Sequence, residues 1–139
     1  MNVITKYLIL HTKGENDIID ITDDVSKAIK ESKLKNGSVV IFVPGSTGAI
    51  TTIEYEPGLL KDFPRVLERI APKDIEYEHH KTWHDWNGHS HVRASLLGPS
   101  LTIPFINGAL TLGTWQQIVF IELDIRKRER KLILQIIGE

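Results

Sequence analysis

Histidine is the residue type in this chain whose spacing points most directly to chemistry. Imidazole is a favoured ligand of zinc, copper, iron and nickel, and catalytic zinc commonly has three protein ligands and an open position for water. Three neutral imidazoles leave the whole charge of the metal to acidify that water or to polarise a substrate oxygen. The pattern predicts a divalent-metal site, with zinc the favoured metal, built from at least three of five clustered histidines. These are His79, His80, His84, His89 and His91.

The histidines are not equivalent candidates. His80 follows His79 directly and would point to the opposite face of a strand, so it is the least favoured ligand. His11 is isolated in the sequence and is expected to be structural. Asp85 lies within the cluster and could orient a ligand imidazole through a hydrogen bond. The alternative interpretation is a polar surface loop whose histidines are solvated or capped.

A second set of residues could hold an anionic substrate. The loop 44–48, Pro-Gly-Ser-Thr-Gly, follows an apolar strand, as phosphate-binding loops often do. It lacks the Walker lysine and the glycine spacing of dinucleotide sites, so a plain turn is the alternative. Lys81, Arg93 and Ser100 are further candidates for holding an anion. The alternative for Arg93 is a salt-bridged or solvated side chain.

A pair of carboxylates is a third candidate feature. Glu54 and Glu56 stand two residues apart at the end of a predicted strand, so their side chains could share a face. Paired carboxylates can act in acid–base chemistry, which makes Glu54 a candidate catalytic residue. An exposed strand end is the alternative.

Length and charge restrict the classes of function. The chain has 139 residues, so we expect a single domain over residues 1–139. With 17 basic and 18 acidic residues the net charge is −1, which gives no general attraction to nucleic acid or anionic membrane. The short basic run 126–131 is predicted to be a solvated turn. Cysteine is absent, so any metal site must be built from imidazole and carboxylate.

The amino-acid sequence also shows no recognisable targeting signal. No charged and apolar leader is evident, and no apolar run approaches the ~20 residues of a membrane span. We therefore predict a cytoplasmic protein with no membrane partner. Abundant Ile, Glu and Lys with a single Met would suit a thermophile.

Hydrophobic periodicity and turn residues predict the elements that position these side chains. One helix begins at the N-capping residues 22–24 and ends near Asn36-Gly37. A second helix is capped by Asp62, with Pro64 in its first turn. Asn107-Gly108 is the strongest hairpin signal. Strands are predicted over residues 3–10, 18–21, 38–43, 49–55, 75–78, 101–106, 109–112, 115–125 and 131–137.

These elements favour an α+β domain with antiparallel sheet. The segment 91–97 is either a helix or a strand, which gives two or three helices in total, and the last third of the chain is nearly all β. The C-terminal strand is so hydrophobic over 132–137 that something must cover it. If it lies at a sheet edge, subunit association is one way to cover it, which suggests an oligomer.

Several motifs resemble the YjbQ-like proteins, and the resemblance spans nearly the whole chain. They are Glu54-Tyr55-Glu56-Pro57, Tyr77-Glu78-His79, the segment 91–98 (His-Val-Arg-Ala-Ser-Leu-Leu-Gly), Ser100-Leu101-Thr102-Ile103-Pro104 and Gly113-Thr114-Trp115-Gln116. The resemblance implies a small α+β protein that assembles as a homotrimer. It also implies a secondary thiamine-phosphate synthase, which joins a pyrimidine diphosphate to a thiazole phosphate.

The resemblance also orders the candidate ligands. The recurring histidines of the family match His79 and His91. Many members have His-Thr-Thr or His-Thr-Ser after the buried strand, where this chain has 45–47, Gly-Ser-Thr. His84 and His89 are additional histidines that could replace the lost ligand. The expected order of ligands is His91, His89, His79 and then His84.

The implied mechanism is metal-assisted transfer. The metal and a cation stabilise the charge of the departing diphosphate, while the protein positions the thiazole nitrogen. Asp85 is the candidate base. The residues expected to hold phosphate are Ser46, Thr47, Arg93 and Ser100, with Lys81 as a further candidate. A metal-dependent hydrolase of a small phosphate or amide and a non-catalytic trimer that binds a metal or metabolite remain the alternatives.

Overall fold

Two antiparallel β-sheets and four helices make up the computed structural model, which describes residues 1–139. The strands are β1 Asn2–His11, β2 Ile18–Asp20, β3 Gly37–Phe42, β4 Gly48–Ile53, β5 Ser100–Ile106, β6 Ala109–Leu110, β7 Gln117–Glu122 and β8 Glu129–Gly138. The helices are α1 Thr22–Ser32, α2 Pro57–Ile70, α3 Glu78–Trp83 and α4 Gly88–Leu97. The α+β class predicted from the sequence is confirmed.

The larger sheet has the strand order β1-β8-β3-β5-β6, and the smaller one has the order β2-β7-β4. β7 is apolar over residues 118–121 because it faces a core on each side. Ile118 and Phe120 pack into the main core, which also contains the inner face of the larger sheet and α1. Val119 and Ile121 point the other way, towards Leu67 of α2 and its neighbours in α4. The smaller sheet therefore lies between two apolar layers.

Two predictions about local structure are wrong, and the condition that the C-terminal strand lies at a sheet edge is not met. The segment predicted as a strand over 75–78 leads instead into α3, so the chain has a fourth helix beyond the two or three expected. α2 does not begin at Asp62 but at Pro57, and Pro64 lies inside it. The C-terminal strand β8 is not an edge strand, since it pairs with both β1 and β3. Its hydrophobic character is thus explained within one chain.

Two uncertain features are settled by the structure. The segment 91–97 is helical, as part of α4. The predicted hairpin at Asn107-Gly108 is confirmed, and both residues have positive φ, of 52° and 77°. A turn of this kind suits the twist of the strands that it joins, and Asn and Gly adopt it at little cost.

We expect the substitution Glu56→Ala to lower the free energy of unfolding by about 1 kcal/mol. The side chain of Glu56 caps α2 by accepting hydrogen bonds from the backbone N–H groups of Gly58 and Leu59. Glu54→Ala is the matched control, because Glu54 is exposed and its side chain has no partner. Urea denaturation measures both. Equal effects of the two substitutions would contradict the capping role.

Candidate functional site

The helix pair α3–α4 brings two of the predicted ligands together. His79 in the first turn of α3 and His91 in α4 have ring centroids 4.4 Å apart, with the ring planes inclined at 39°. The link between the helices contains Asp85, whose Oδ1 lies 3.2 Å from Nδ1 of His79. His84 and Trp86 in this link adopt left-handed backbone conformations. These turns bring Asp85 back beside the histidine pair.

The contact between His79 and Asp85 has the spacing of two ligands of one ion. The Nδ1 atom of His79 is buried and makes no hydrogen bond, in spite of its closeness to the carboxylate. Zinc binds imidazole nitrogen and carboxylate oxygen at about 2.0–2.2 Å, so two such ligands in a tetrahedral site are about 3.3 Å apart. The observed 3.2 Å is close to that separation. An unpartnered nitrogen facing an oxygen is therefore in a suitable position to share a cation with it.

The protonation state of His91 is also the one that a metal ligand needs. Burial lowers the pKa of this imidazole below its ordinary value, and the neighbouring His79 lowers it further. The carboxylates of Asp85 and Asp124 raise it, without reversing the shift. The neutral form that binds metals is thus favoured at neutral pH.

Asp124 extends the site towards the end of β7. The amide of Asn87 lies between two carboxylates: its NH₂ group donates to Asp124 over 3.4 Å or, with the amide turned over, to Asp85 over 2.8 Å. A cavity of about 170 Å³ opens here, between Asp85, Asn87, Asp124 and the neighbouring Arg126. Polar groups from two parts of the chain thus face one small space.

Asp124 is held in its charged form. Burial raises its pKa, but hydrogen bonds from the backbone N–H of Ile125 and from Asn87 lower it. Arg128 lowers it further by a hydrogen bond and by its charge, and the net result is a pKa below the ordinary value. Asp124 therefore supplies a negative charge to the site at neutral pH.

A buried ion pair supports this end of the site. Glu122 and Arg130 are both almost completely buried, and they contact each other through two nitrogens of the guanidinium group. Arg130 also donates to the hydroxyl of Thr47 over 2.9 Å, and Thr12 donates to Glu122 over 2.9 Å. Thr47 lies 3.3 Å from Asp124, which connects the ion pair to the site. Buried charges of this kind are stable only when they are paired and hydrogen-bonded.

The other histidines of the cluster lie elsewhere. His84 is exposed at the end of α3, and the buried His80 accepts a hydrogen bond from the N–H of Gly88 over 3.3 Å. His89 is fully buried, and its Nε2 contacts the carboxylate of Glu15. No group of three or more histidine and acidic side chains converges on a single point within the chain. His79 and His91 are therefore the two predicted ligands that the fold brings close together, and Asp85, the predicted base, lies beside His79.

The contact between His89 and Glu15 leads to a pH prediction. Burial raises the pKa of Glu15, but hydrogen bonds from His89 and Lys73 outweigh this effect, and the pKa is lowered. A carboxyl group whose pKa is lower in the folded state contributes stability above its unfolded pKa and loses it as the pH falls through the folded value. We expect the unfolding free energy of Glu15→Gln to fall less between about pH 7 and about pH 3 than that of the wild type. Urea denaturation at several pH values measures this.

The control for this prediction is Glu76→Gln, because Glu76 is exposed and forms no ion pair or hydrogen bond through its side chain. It should keep the pH dependence of the wild type. A Glu15→Gln variant with an unchanged pH profile would show that the contact with His89 contributes nothing to acid stability.

Several residues predicted to bind substrate or to act in catalysis do not reach this site. Arg93 is 1% exposed, and it donates to the carbonyl of Ala71 over 3.0 Å and to Glu68 over 2.7 Å. It connects α4 to α2, so the salt-bridged alternative is the right one. Lys81 pairs with Glu78, and Glu54 lies just beyond the end of β4. The remaining predicted residues are all exposed at the surface. These are Ser46, Lys81, Ser100 and Glu54. Only Thr47 of the predicted phosphate-binding set lies at the site.

Sequence reasoning missed the acidic and basic residues at the end of β7 and in β8. The run 126–131 is not simply a solvated turn, because Arg130 is buried. Two signals could have found these residues. Glu122 and Asp124 interrupt an otherwise apolar run, where a carboxylate is rarely buried without a partner. Arg130 has the same parity as the inward-facing Leu132 and Leu134, which places it on the buried face of β8.

Comparison with known proteins agrees with the fold. The family model described as UPF0047 protein YjbQ-like matches residues 6–139. A UPF0047 protein of Methanothermobacter thermautotrophicus is 42% identical over 139 residues, covering 100% of this chain and 95% of its own length. The UPF0047 protein YugU of Bacillus subtilis is 32% identical over 134 residues, covering 96% and 98%. The crystal structure of a YbjQ-like protein of unknown function from Sulfolobus solfataricus has a TM-score of 0.92 at 34% identity, covering 99% of both chains.

The fold and the site define an α+β protein of two antiparallel sheets, with histidines and carboxylates gathered at one end of the smaller sheet. The chain belongs to the UPF0047 (YjbQ-like) family. The family resemblance seen in the sequence motifs is thereby confirmed. None of its helices has the length and apolar character needed to cross a membrane.

Proposed function

We propose that this protein is a metal-dependent enzyme that joins a pyrimidine diphosphate to a thiazole phosphate, as a secondary thiamine-phosphate synthase does. The observation that carries the proposal is the buried, unpartnered Nδ1 of His79, 3.2 Å from Asp85 and beside the ring of His91. Imidazole and carboxylate are ligand types that suit zinc, and because the three side chains do not converge on one point in the structure, the proposal requires them to turn towards a shared ion. The cytoplasmic location predicted from the sequence is part of the same proposal.

The donor set would leave coordination positions for a substrate. His79, His91 and Asp85 are the residues proposed to hold the metal, which when bound supplies a Lewis acid that neutralises phosphate oxygens. Asp85 is thus assigned here as a ligand and not as the base. Asn87 donates its NH₂ group to Asp124 or, with the amide turned over, to Asp85, and outer contacts of this kind commonly tune a metal site.

The reaction requires the protein mainly to position the two reactants and to stabilise the charge of the departing diphosphate. The nitrogen of the thiazole attacks the methylene carbon of the pyrimidine, a C–N bond forms, and the C–O bond to diphosphate breaks with its electron pair leaving on oxygen. The attacking nitrogen carries no proton, so the step needs no general base. Holding the two reactants in line and stabilising the departing diphosphate provide the rate enhancement.

The test begins with the metal. Elemental analysis of the purified protein, followed by zinc titration of the EDTA-treated protein, should show about one zinc per chain. The zinc-loaded protein should then couple the two substrates, and the EDTA-treated protein should not. Products formed with water alone would favour the hydrolase, and zinc binding without turnover would favour a non-catalytic binder. Absence of zinc binding would overturn the proposal.

We also propose that the protein is a homotrimer. The outer face of the larger sheet is not covered by any helix and exposes apolar side chains from several strands. These are Val3, Tyr7, Ile9, Phe42 and Ile106. Tyr7, Ile133 and Phe42 are cross-strand partners, so apolar side chains continue across three neighbouring strands. An apolar surface of this kind commonly marks an interface.

Light scattering tests the assembly. The wild type should have three times the chain mass of 15.8 kDa. Val3→Glu places a charge on the outer face and should shift the protein towards the monomer. Val66→Glu, at an exposed position of α2, is the matched control and should keep the trimer. A monomeric wild type would exclude the proposed assembly.

A further inference from the structure

A single basic residue, Arg126, lines the cavity beside the histidine–carboxylate site. It shares the lining with Asp85, Asn87 and Asp124. Arg126 lies in the turn between β7 and β8, where its side chain is exposed and forms no salt bridge or hydrogen bond within the chain. The guanidinium group is therefore free to turn over the cavity and to donate all its N–H groups to a ligand.

The acidic neighbours of Arg126 already have other partners. Asp124, two residues earlier in the chain, contacts the guanidinium group of Arg128. Asp85 has its Oδ1 atom 3.2 Å from Nδ1 of His79, with which it is proposed to share the metal. Since neither carboxylate is paired with Arg126, its positive charge is available for an anion from outside the protein.

The charges around the cavity favour an anion only when a metal is bound. Asp85 and Asp124 balance Arg126 and Arg128, so these four side chains together carry no net charge. A divalent cation held by Asp85 would leave its positive charges uncompensated, and opposite charges attract more strongly at a partly buried site than in bulk water. The cavity, of about 170 Å³, has room for several water molecules, which a phosphate group could replace.

We propose that Arg126 binds a phosphate group of the substrate at the metal site. The inference rests on the proposed function, because the metal supplies the other positive charge that the phosphate needs. A guanidinium group can donate two parallel hydrogen bonds to phosphate oxygens, which fixes the orientation of the group as well as its position. Arg93 and Lys81, the cations predicted for this role, are paired with glutamates elsewhere, and Arg126 takes their place.

Phosphate titration tests Arg126 by binding alone, without turnover. Protein loaded with zinc and freed of excess metal should bind inorganic phosphate saturably in calorimetry, at least about tenfold more tightly than the EDTA-treated protein. Arg126→Gln should weaken this affinity by about tenfold, the loss of one charge-assisted hydrogen bond, and should not weaken zinc binding. Lys127→Gln is the matched control with unchanged affinity, because it removes the same charge from the next exposed residue, which does not line the cavity.

The coupling assay distinguishes the two phosphorylated substrates. If Arg126 holds the leaving diphosphate, Arg126→Gln should raise KM for the pyrimidine diphosphate. A raised KM for the thiazole phosphate would assign Arg126 to the phosphate of that substrate instead. An unchanged KM for both would overturn the inference.

The remaining outcomes separate this inference from the proposed function. Equal phosphate affinity in the wild type and Arg126→Gln, an equal loss in Arg126→Gln and Lys127→Gln, or equally tight binding without zinc would overturn the inference and leave the proposed function standing. Loss of zinc from Arg126→Gln would also overturn it, because Arg126 would then act on the metal site and not on the phosphate. A wild type that takes up no zinc would overturn the proposed function, and this inference with it.

Discussion

Replacing Arg130 by methionine should lower the free energy of unfolding by about 3–5 kcal/mol, as expected when one partner of a buried ion pair is removed. Glu122 would then be left as a charged group with 0% exposure, and its contact with Thr12 could not compensate for the lost guanidinium. Thr47 would lose its hydrogen bond from Arg130 as well. Urea denaturation at a fixed protein concentration measures the effect, since association with other chains would add to stability.

The double variant Arg130→Met/Glu122→Leu shows where the loss comes from. If it arises from the orphaned charge, the second substitution should restore most of the stability, because apolar replacements of buried pairs are often neutral or stabilising. Lys131→Met, at the next and exposed position of β8, should change stability by no more than about 0.5 kcal/mol. A loss below about 1 kcal/mol in Arg130→Met would mean that Glu122 has another way to be stabilised.

Replacing His91 by alanine should reduce zinc affinity by more than about 100-fold, and turnover with it. Mutation of groups that only orient a metal ligand typically costs 10- to 100-fold in affinity or activity, so removal of a ligand should cost more. His91 is a strong candidate because its pKa is lowered, mainly by burial, and its ring lies beside His79. Zinc titration followed by calorimetry, together with the coupling assay, measures both quantities.

The matched control is His84→Asn. His84 is exposed and lies at the end of α3 with φ 57°, a conformation that asparagine tolerates better than alanine. It should keep full zinc affinity. If His84→Asn lost zinc and His91→Ala kept it, the site would be built from the exposed part of the histidine cluster. Full zinc occupancy in both variants would show that neither histidine is a ligand.

The pattern of hydrophobic and turn residues was enough to predict most elements of the fold. The hairpin at Asn107-Gly108 and the helix that follows Ile21 depend on interactions between near neighbours, so the local sequence determines them. The start of α2 was misplaced because Glu56 caps it with a longer side chain than the usual capping residues. α3 was missed because only six residues form it and no periodic pattern can develop over that length.

By itself the sequence determined the family, the α+β class and the histidine-rich segment as the place to look for chemistry. Only the tertiary structure separated His79 and His91 from His84 and His89, because the direction of each ring depends on how α3 and α4 pack and on the left-handed turns between them. It also brought Glu122 and Arg130 together inside the protein, a pairing that depends on strands from two sheets meeting at one end. Local sequence specifies which side chains are available, and long-range packing decides which of them face one another.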